Sequence, residues 1–380
     1  MHRVPVRMAN DSYDVVVESG SLEGAERHLR PLIGDRRVFL IADQGAWRHQ
    51  GSRLEKGLQG LDTTVIEMAG GEQNKRLKLV ESLAEQMYAA GADRSACVIA
   101  FGGGIAGDVG GFVAASYMRG VDVVQVPTTL LAQVDASVGG KTGVNLAEGK
   151  NLFGAFHQPR LVLIDPTTLQ TLPEREYRAG LFEVIKHGII RSPSLFERMR
   201  NKQDAVLARD PGTLEAIIAE SVAIKAEVVS QDEREGNLRR ILNYGHTLGH
   251  ALEAETAYAR VLHGEAVAYG MIAASRLAES LEMLPRDEAR SLEDVVLSYG
   301  PIPVLDGIEA SNLAARIHGD KKTIGGHVHF VLPEKIGKVR VLSDIDSGLI
   351  VEAAESALRV FSGTANAPTP ALPESVASDR

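Results

Sequence analysis

Three histidines in one short stretch, His246, His250 and His263, together with Glu183 and Lys186 three apart upstream, are the residues of this chain best equipped for chemistry. His246 and His250 are four positions apart and so share one face of a helix. His263 follows after a short excursion. Neutral imidazole is a good zinc ligand, and a catalytic zinc takes three protein ligands while keeping a position open for water or substrate. An isolated His-x-x-x-His is as readily a pair of helix histidines bonded to nearby groups. Here Glu183 lies in the otherwise apolar run from Gly180 to His187 and could complete a His/His/Glu set.

A second chemistry is written in glycines. Residues 96–101 read as a strand and run into Gly102-Gly103-Gly104-Ile105-Ala106-Gly107-Asp108, which meets the Gly-x-Gly-x-x-Gly pattern. Glycines let the backbone approach a pyrophosphate, and the amides and dipole of the following helix stabilise its charge. The context departs from the standard dinucleotide fold. The pattern does not follow the first strand, and Asp122, at the spacing of a ribose-binding acid, opens a later one. Glu72 with Lys75, and Asp43 at a strand end, offer other groups for ribose hydroxyls at a sheet's carboxyl edge. Residues 127–151 read as a long Gly-rich loop carrying Lys141 and Lys150. Its Gly-Gly-Lys-Thr at 139–142 lacks P-loop spacing, so the expectation is anion binding rather than nucleotide hydrolysis.

The elements that must position these groups follow from hydrophobic patterning. Continuous apolar runs at residues 37–43, 96–101, 123–126 and 161–165 alternate with helical patterns, which implies a mainly parallel sheet covered on both faces. From about Pro173 the periodicity turns helical, as at residues 214–225, with a brief return to strand character at 327–332. Residues 363–380, rich in Pro, Ala, Ser and Thr, read as a disordered tail. With 380 residues, 44% hydrophobic and 24% charged, the chain has room for two cored domains. A net charge of −9 excludes a general nucleic-acid surface. One cysteine, Cys97 in an apolar run, excludes internal disulfides and Cys-based zinc. Absence of a signal-like segment or membrane-spanning stretch places the expected location in the cytoplasm.

Eight segments, taken together and in order, carry a family resemblance: Phe101 to Asp108, Tyr117 to Gly120, Val126 to Asp135, Gly139 to Thr142, Gly149 to Asn151, Glu183 to Lys186, Asn243 to His246 and Leu262 to Glu265. With them the chain resembles the 3-dehydroquinate synthases of the shikimate pathway from about Val4 to Phe361. The resemblance implies a Rossmann-like α/β NAD-binding domain over residues 1–172 and an all-α metal- and substrate-binding domain over residues 173–362. The implied substrate is 3-deoxy-D-arabino-heptulosonate 7-phosphate. NAD transiently oxidises its C5 hydroxyl, phosphate leaves from C7, the hydride returns, and ring opening and an intramolecular aldol step close the carbocycle. A divalent metal, zinc or cobalt, would polarise the hydroxyl being oxidised.

Residue by residue, the resemblance makes Glu183, His246 and His263 the metal ligands. It sets His250, Asn243 and Lys141 near the phosphate and the proton transfers, and gives the ring hydroxyls to Asp135, Lys186 and Lys225. Arg239 would face the substrate carboxylate. Asn151, Arg119 and one of Lys321 and Lys322 would complete the phosphate pocket, with Arg119 reaching a neighbouring subunit's site in a homodimer. NAD would contact Asp43, Glu72, Lys75, Gly103, Gly104, Asp108, Thr128, Thr129, Lys141 and Lys150, which leaves Asp122 out. A metal-dependent glycerol dehydrogenase would share the NAD-plus-metal logic but needs no phosphate pocket. Other sugar-phosphate cyclases tend to alter the polar ring around Asn243, His250 and the Lys321-Lys322 pair, all of which this chain keeps. A non-catalytic NAD-binding module would leave Glu183, His246 and His263 unexplained.

Overall fold

A computed structural model of the chain describes residues 1–8, 11–234, 236–319 and 328–363. Lys321, Lys322 and residues 364–380 lie outside the described residues. The strands are β1 (His2–Val6), β2 (Tyr13–Val17), β3 (Val38–Asp43), β4 (Thr63–Met68), β5 (Cys97–Gly102), β6 (Asp122–Pro127), β7 (Lys141–Leu146), β8 (Gly149–Phe156), β9 (Leu161–Ile164), β10 (His329–Lys335) and β11 (Lys338–Ser343). Seven form one sheet in the order β1-β2-β9-β6-β5-β3-β4. Only the β1–β2 pairing is antiparallel. The unbroken apolar runs of β3, β5 and β9 are buried, as strands covered on both faces must be.

Alternation along each strand sorts the core. Phe39 and Ile41 of β3 point into one cluster, Val38, Leu40 and Ala42 into another. At the other end of the sheet, Val15, Val17, Val162 and Ile164 share a cluster with Phe182, Ile185 and Tyr269 of the helical half. The two halves therefore meet through a common apolar core. After β4 the chain crosses back over β3 to β5, so the strand order reverses between β3 and β5. Crevices for ligands open at the carboxyl ends of strands at such reversals, here at Asp43 and Gly102.

Two expectations are corrected. Residues 127–151 are not an open loop: Ala132–Ala136 forms a π-helical turn, and β7 and β8 pair as an antiparallel hairpin. Glycine-rich polar segments of this kind lack the apolar periodicity that signals a strand. The helical half is not purely α either, because β10 and β11 form a second hairpin.

The Glu174–Arg191 helix begins after Pro173 and is buried on every side from Ala179 to Ile190. A helix without a solvent face becomes the centre of its bundle. The His263–Ser280 helix crosses it closely. A Cβ on Gly264 would lie 1.9 Å from the Ala179 carbonyl oxygen, and one on Gly270 would lie 1.8 Å from that of Gly245. Only glycine permits these backbone contacts, which bring His246 and His263 beside Glu183. Gly270→Ala should therefore force the helices apart and lower stability by about 3 kcal/mol, as overpacking a closed core does. Thermal unfolding followed by circular dichroism measures this; an unchanged midpoint would mean that the contact is compliant.

Candidate active site

Glu183 projects from the central helix with its side chain fully buried, and neither carboxylate oxygen receives a hydrogen bond. Lys186, one turn on, makes an ion-pair contact with it without hydrogen-bond geometry. His246 Nε2 and His263 Nε2 stand 3.7 and 3.6 Å from Glu183 Oε1. Each ring is turned there by a bond at its other nitrogen: His246 Nδ1 meets the Tyr244 carbonyl at 3.1 Å, and His263 Nδ1 meets Glu253 Oε2 at 3.2 Å. Donor atoms of Glu183, His246 and His263 all lie within 4.8 Å of one another.

Two other sets among the described residues are equally compact, His250/Glu253/His263 and Asp135/Glu183/His187. In the first, His263 Nδ1 and Glu253 are already bonded to each other. The second has Lys225 Nζ bonded to Asp135. A buried carboxylate without a hydrogen bond, facing two imidazole nitrogens, thus fits a divalent cation best at Glu183, His246 and His263. Burial, with Lys186 nearby, holds His246 well below the usual imidazole range and so in the neutral, ligating form. Burial pushes His263 down as well, but Glu253 and Glu183 outweigh it and the net shift is upward.

A polar ring adjoins this set. Asp135, held by the π-helical turn, accepts from Lys225 Nζ at 2.6 Å. Arg239 is buried, donates to the Glu233 carbonyl at 2.6 Å and packs against Gly139. Burial raises Asp135, but Lys225 and Lys186 more than offset it and hold the carboxyl well below its ordinary range. Burial also lowers Lys225, to about 8, because Asp135 does not fully balance it beside Arg239 and Lys186. Local positive charge is in excess, the condition in which a site attracts an anion.

At the carboxyl edge of β5, Gly103 caps the Gly104–Ser116 helix without a side-chain hydrogen bond, so its first-turn amides are open to an anion. The position of a Cβ on Gly103 is 3.0 Å from Thr129, and the Thr128 N–H donates to Gly102 O at 2.8 Å. Asp43 caps the next helix through the Ala46 N–H. Lys75 is buried, with its ammonium 2.5 Å from both Asp108 and Asn151. Lys150 sits over the Tyr258 ring at 4.1 Å and 3.8 Å from Glu253. Lys141 opens β7 and is exposed, and Asn243 ends the turn before the His246 helix. His250 lies beside the ligand set, its ring centroid 5.2 Å from His246 and 5.8 Å from His263.

Arg119 is not brought to this place within its own chain. It is exposed, with φ of 71°, just before the amino end of β6, whereas the glycine turn is at the carboxyl ends. A six-residue strand separates the two levels by roughly 16 Å. Asp122, at the same amino end, pairs with Arg36 at 2.7 Å and is remote from the glycine turn. Glu253 was missed in sequence reasoning although His246, His250 and Glu253 have i, i+4, i+7 spacing on one helix face.

Residues 65–179 match the family model described as 3-dehydroquinate synthase N-terminal, and residues 180–323 match the 3-dehydroquinate synthase C-terminal model. The chain belongs to the 3-dehydroquinate synthase family. The 3-dehydroquinate synthase of Solibacter usitatus (strain Ellin6076) is 55% identical over 346 residues, 91% of this chain and 96% of the relative. Among solved structures, 2-epi-5-epi-valiolone synthase from Streptomyces hygroscopicus subsp. jinggangensis 5008, with NAD+ and Zn2+ bound, superposes with a TM-score of 0.85 at 30% identity, covering 93% of this chain and 98% of that one. A 2-deoxy-scyllo-inosose synthase complexed with carbaglucose-6-phosphate, NAD+ and Co2+ gives 0.83 at 26% identity, covering 93% and 99%. This member of the family thus shares its architecture with two synthases solved with NAD+ and a divalent metal.

The Lys225 shift has a pH consequence. Its folded pKa, about 8, is below its ordinary 10.5, so the unfolded chain binds more protons between those values and stability from this group rises with pH there. That contribution is present above 10.5 and is lost as pH falls through 8. The difference in unfolding free energy between wild type and Lys225→Met should grow across this window by up to about 3 kcal/mol. Denaturant titrations at several pH values measure it; a flat difference would mean that Lys225 titrates normally.

Proposed function

We propose that this chain is a 3-dehydroquinate synthase, converting 3-deoxy-D-arabino-heptulosonate 7-phosphate to 3-dehydroquinate and phosphate. The observation that carries the reading is the buried Glu183 carboxylate, without a hydrogen bond, facing His246 and His263 beside the cation-rich ring of Asp135, Lys186, Lys225 and Arg239. A divalent metal, zinc or cobalt, would be held by Glu183, His246 and His263. NAD would lie along Asp43, Glu72, Lys75, Gly103, Gly104, Asp108, Thr128, Thr129 and Lys150, with Lys141 between it and the phosphate. When bound, NAD takes and returns one hydride and the metal polarises a substrate hydroxyl.

The chain's own residues do the rest. Asp135, Lys186 and Lys225 orient ring hydroxyls, and Arg239 offers a guanidinium fork to the carboxylate. His250, next to the ligand set but outside it, is suited to move a proton near neutral pH, with Asn243 beside it. Asn151 and Lys141 face the phosphate. Lys321 and Lys322, expected there too, lie outside the described residues. A glycerol dehydrogenase would have no use for so many cations in an acidic protein. The supported test is turnover: with NAD and zinc or cobalt, phosphate released should far exceed the NAD supplied, with no accumulation of NADH. Alanine at Glu183, His246 or His263 should remove bound metal as well as activity. Stoichiometric NADH with the substrate's phosphate retained would favour the dehydrogenase.

The same reading makes the protein a cytoplasmic homodimer. One cysteine, buried, and the lack of a helix long and apolar enough to cross a membrane among the described residues accord with that location. The β7–β8 hairpin packs on the helix that leads to Arg119 and exposes Leu152, Phe153 and Phe156, an apolar surface suited to a second copy. Arg119, remote from its own site, would then serve its partner's. Arg119→Ala and Lys225→Ala should each inactivate, while co-expression makes about half the dimers mixed, each with one intact site, and restores about a quarter of the activity. No recovery in verified mixed dimers would remove Arg119 from the shared site.

A further inference from the structure

One buried side chain without an assigned role joins two parts of the site. Asn145, near the end of β7, is 5% exposed. Its Nδ2 donates to Glu72 Oε1 at 2.7 Å, and its Oδ1 accepts from the Asn151 backbone N–H at 2.8 Å. Its own N–H donates to the Lys75 carbonyl at 2.9 Å. Lys75 closes the circuit through its ammonium, 2.5 Å from Asn151 Oδ1 and from Asp108 Oδ2. Asn151 has φ of 56°, the left-handed conformation that asparagine adopts more readily than most non-glycine residues.

We propose that Asn145 is a positioning residue that locks Glu72, on the cofactor side, to Asn151, on the phosphate side, so that ordering one orders the other. The proposal rests on the assignment of Glu72 to NAD and Asn151 to phosphate made above. Both ends of the amide are occupied, so no rotation of the side chain releases one partner and keeps the other. Loss of the Nδ2 bond frees the Glu72 carboxylate. Loss of the Oδ1 bond lets the Asn151 backbone relax and draws its side chain off Lys75. Binding NAD therefore prepays the ordering that phosphate needs, and phosphate does the same for NAD.

The test is calorimetric titration of the full-length, metal-loaded protein with NAD and with inorganic phosphate, each alone and with the other saturating. Asn145→Asp keeps the size of the side chain and the acceptor for Asn151, but sets a carboxylate against Glu72. Glu72→Gln restores a donor opposite that carboxylate. In NAD-saturated protein Asn145→Asp should weaken phosphate about tenfold, the scale of losing a buried hydrogen bond, and abolish the mutual strengthening of the two ligands. On a Glu72→Gln background the same change should cost no more than about threefold. Asn145→Ser, which drops both bonds without adding charge, gives the same loss of coupling if Asn145→Asp does not fold. Wild-type affinities and coupling in Asn145→Asp, or a loss equally large on the Glu72→Gln background, would overturn the proposal. Wild-type protein that binds neither NAD nor phosphate would overturn the assignment on which it rests.

Discussion

A carboxylate with no hydrogen bond to either oxygen, in the middle of a helix buried on all sides, is the constraint around which the helical half is arranged. A buried, uncompensated charge costs several kcal/mol, and an apolar core offers nothing to offset it. Lys186 supplies one counter-charge from the same helix face. The rest of the compensation must come from the side where His246 and His263 converge, which is why those rings are oriented from behind by Tyr244 and Glu253. Their convergence depends on backbone contact at Gly264 and Gly270, where one methyl group would part the helices. A binding site and a packing solution are here the same set of atoms.

The polar ring next to it needs both halves of the chain. Asp135 comes from the turn after β6, Lys225 from the Pro211–Gln231 helix and Arg239 from the short turn before the histidine helix. Three cations around Asp135 and Glu183 leave a local surplus of positive charge in a chain whose net charge is −9. Burial lowers Lys225 by more than Asp135 raises it, with Arg239 and Lys186 adding to the fall, while Lys225 and Lys186 hold Asp135 down against its own burial. Field and charge at the site are thus prepared before any ligand arrives.

Much of this was legible in the residues. Continuous apolar runs marked β3, β5, β6 and β9 because strands buried on both faces need no alternation, and Glu183 stood out as a charge inside an apolar helix. Asp122 could be set aside only through the family resemblance; its place at the amino end of β6 supplies the physical reason. The β7–β8 hairpin was hidden because glycines and polar residues carry no strand periodicity, and its pairing depends on the helix beneath it. Asn145 was invisible for a related reason. Its two partners are 73 and 6 residues away, and their meeting follows from strand order rather than from any local pattern.

The contacts between the halves differ greatly in strength, and that ordering says where the molecule can yield. Around β2 and β9, Val15, Val17, Val162 and Ile164 are fully buried against the helical core. Burying each such side chain contributes about 1.5–3 kcal/mol, so this junction cannot open without general unfolding. Across the site one link is Lys150, which approaches Glu253 at 3.8 Å with about a third of its side chain exposed, and lies over Tyr258. A long, partly solvated ion pair and a single cation–π contact contribute about 1 kcal/mol each at most. Yet Glu253 is also the group that orients His263, so the weak link runs directly to a proposed metal ligand. The rigid junction holds Asp135 and Lys225 in register, while the contacts of Lys150 with Glu253 and Tyr258 across the cleft are weak by comparison, close to the glycine turn.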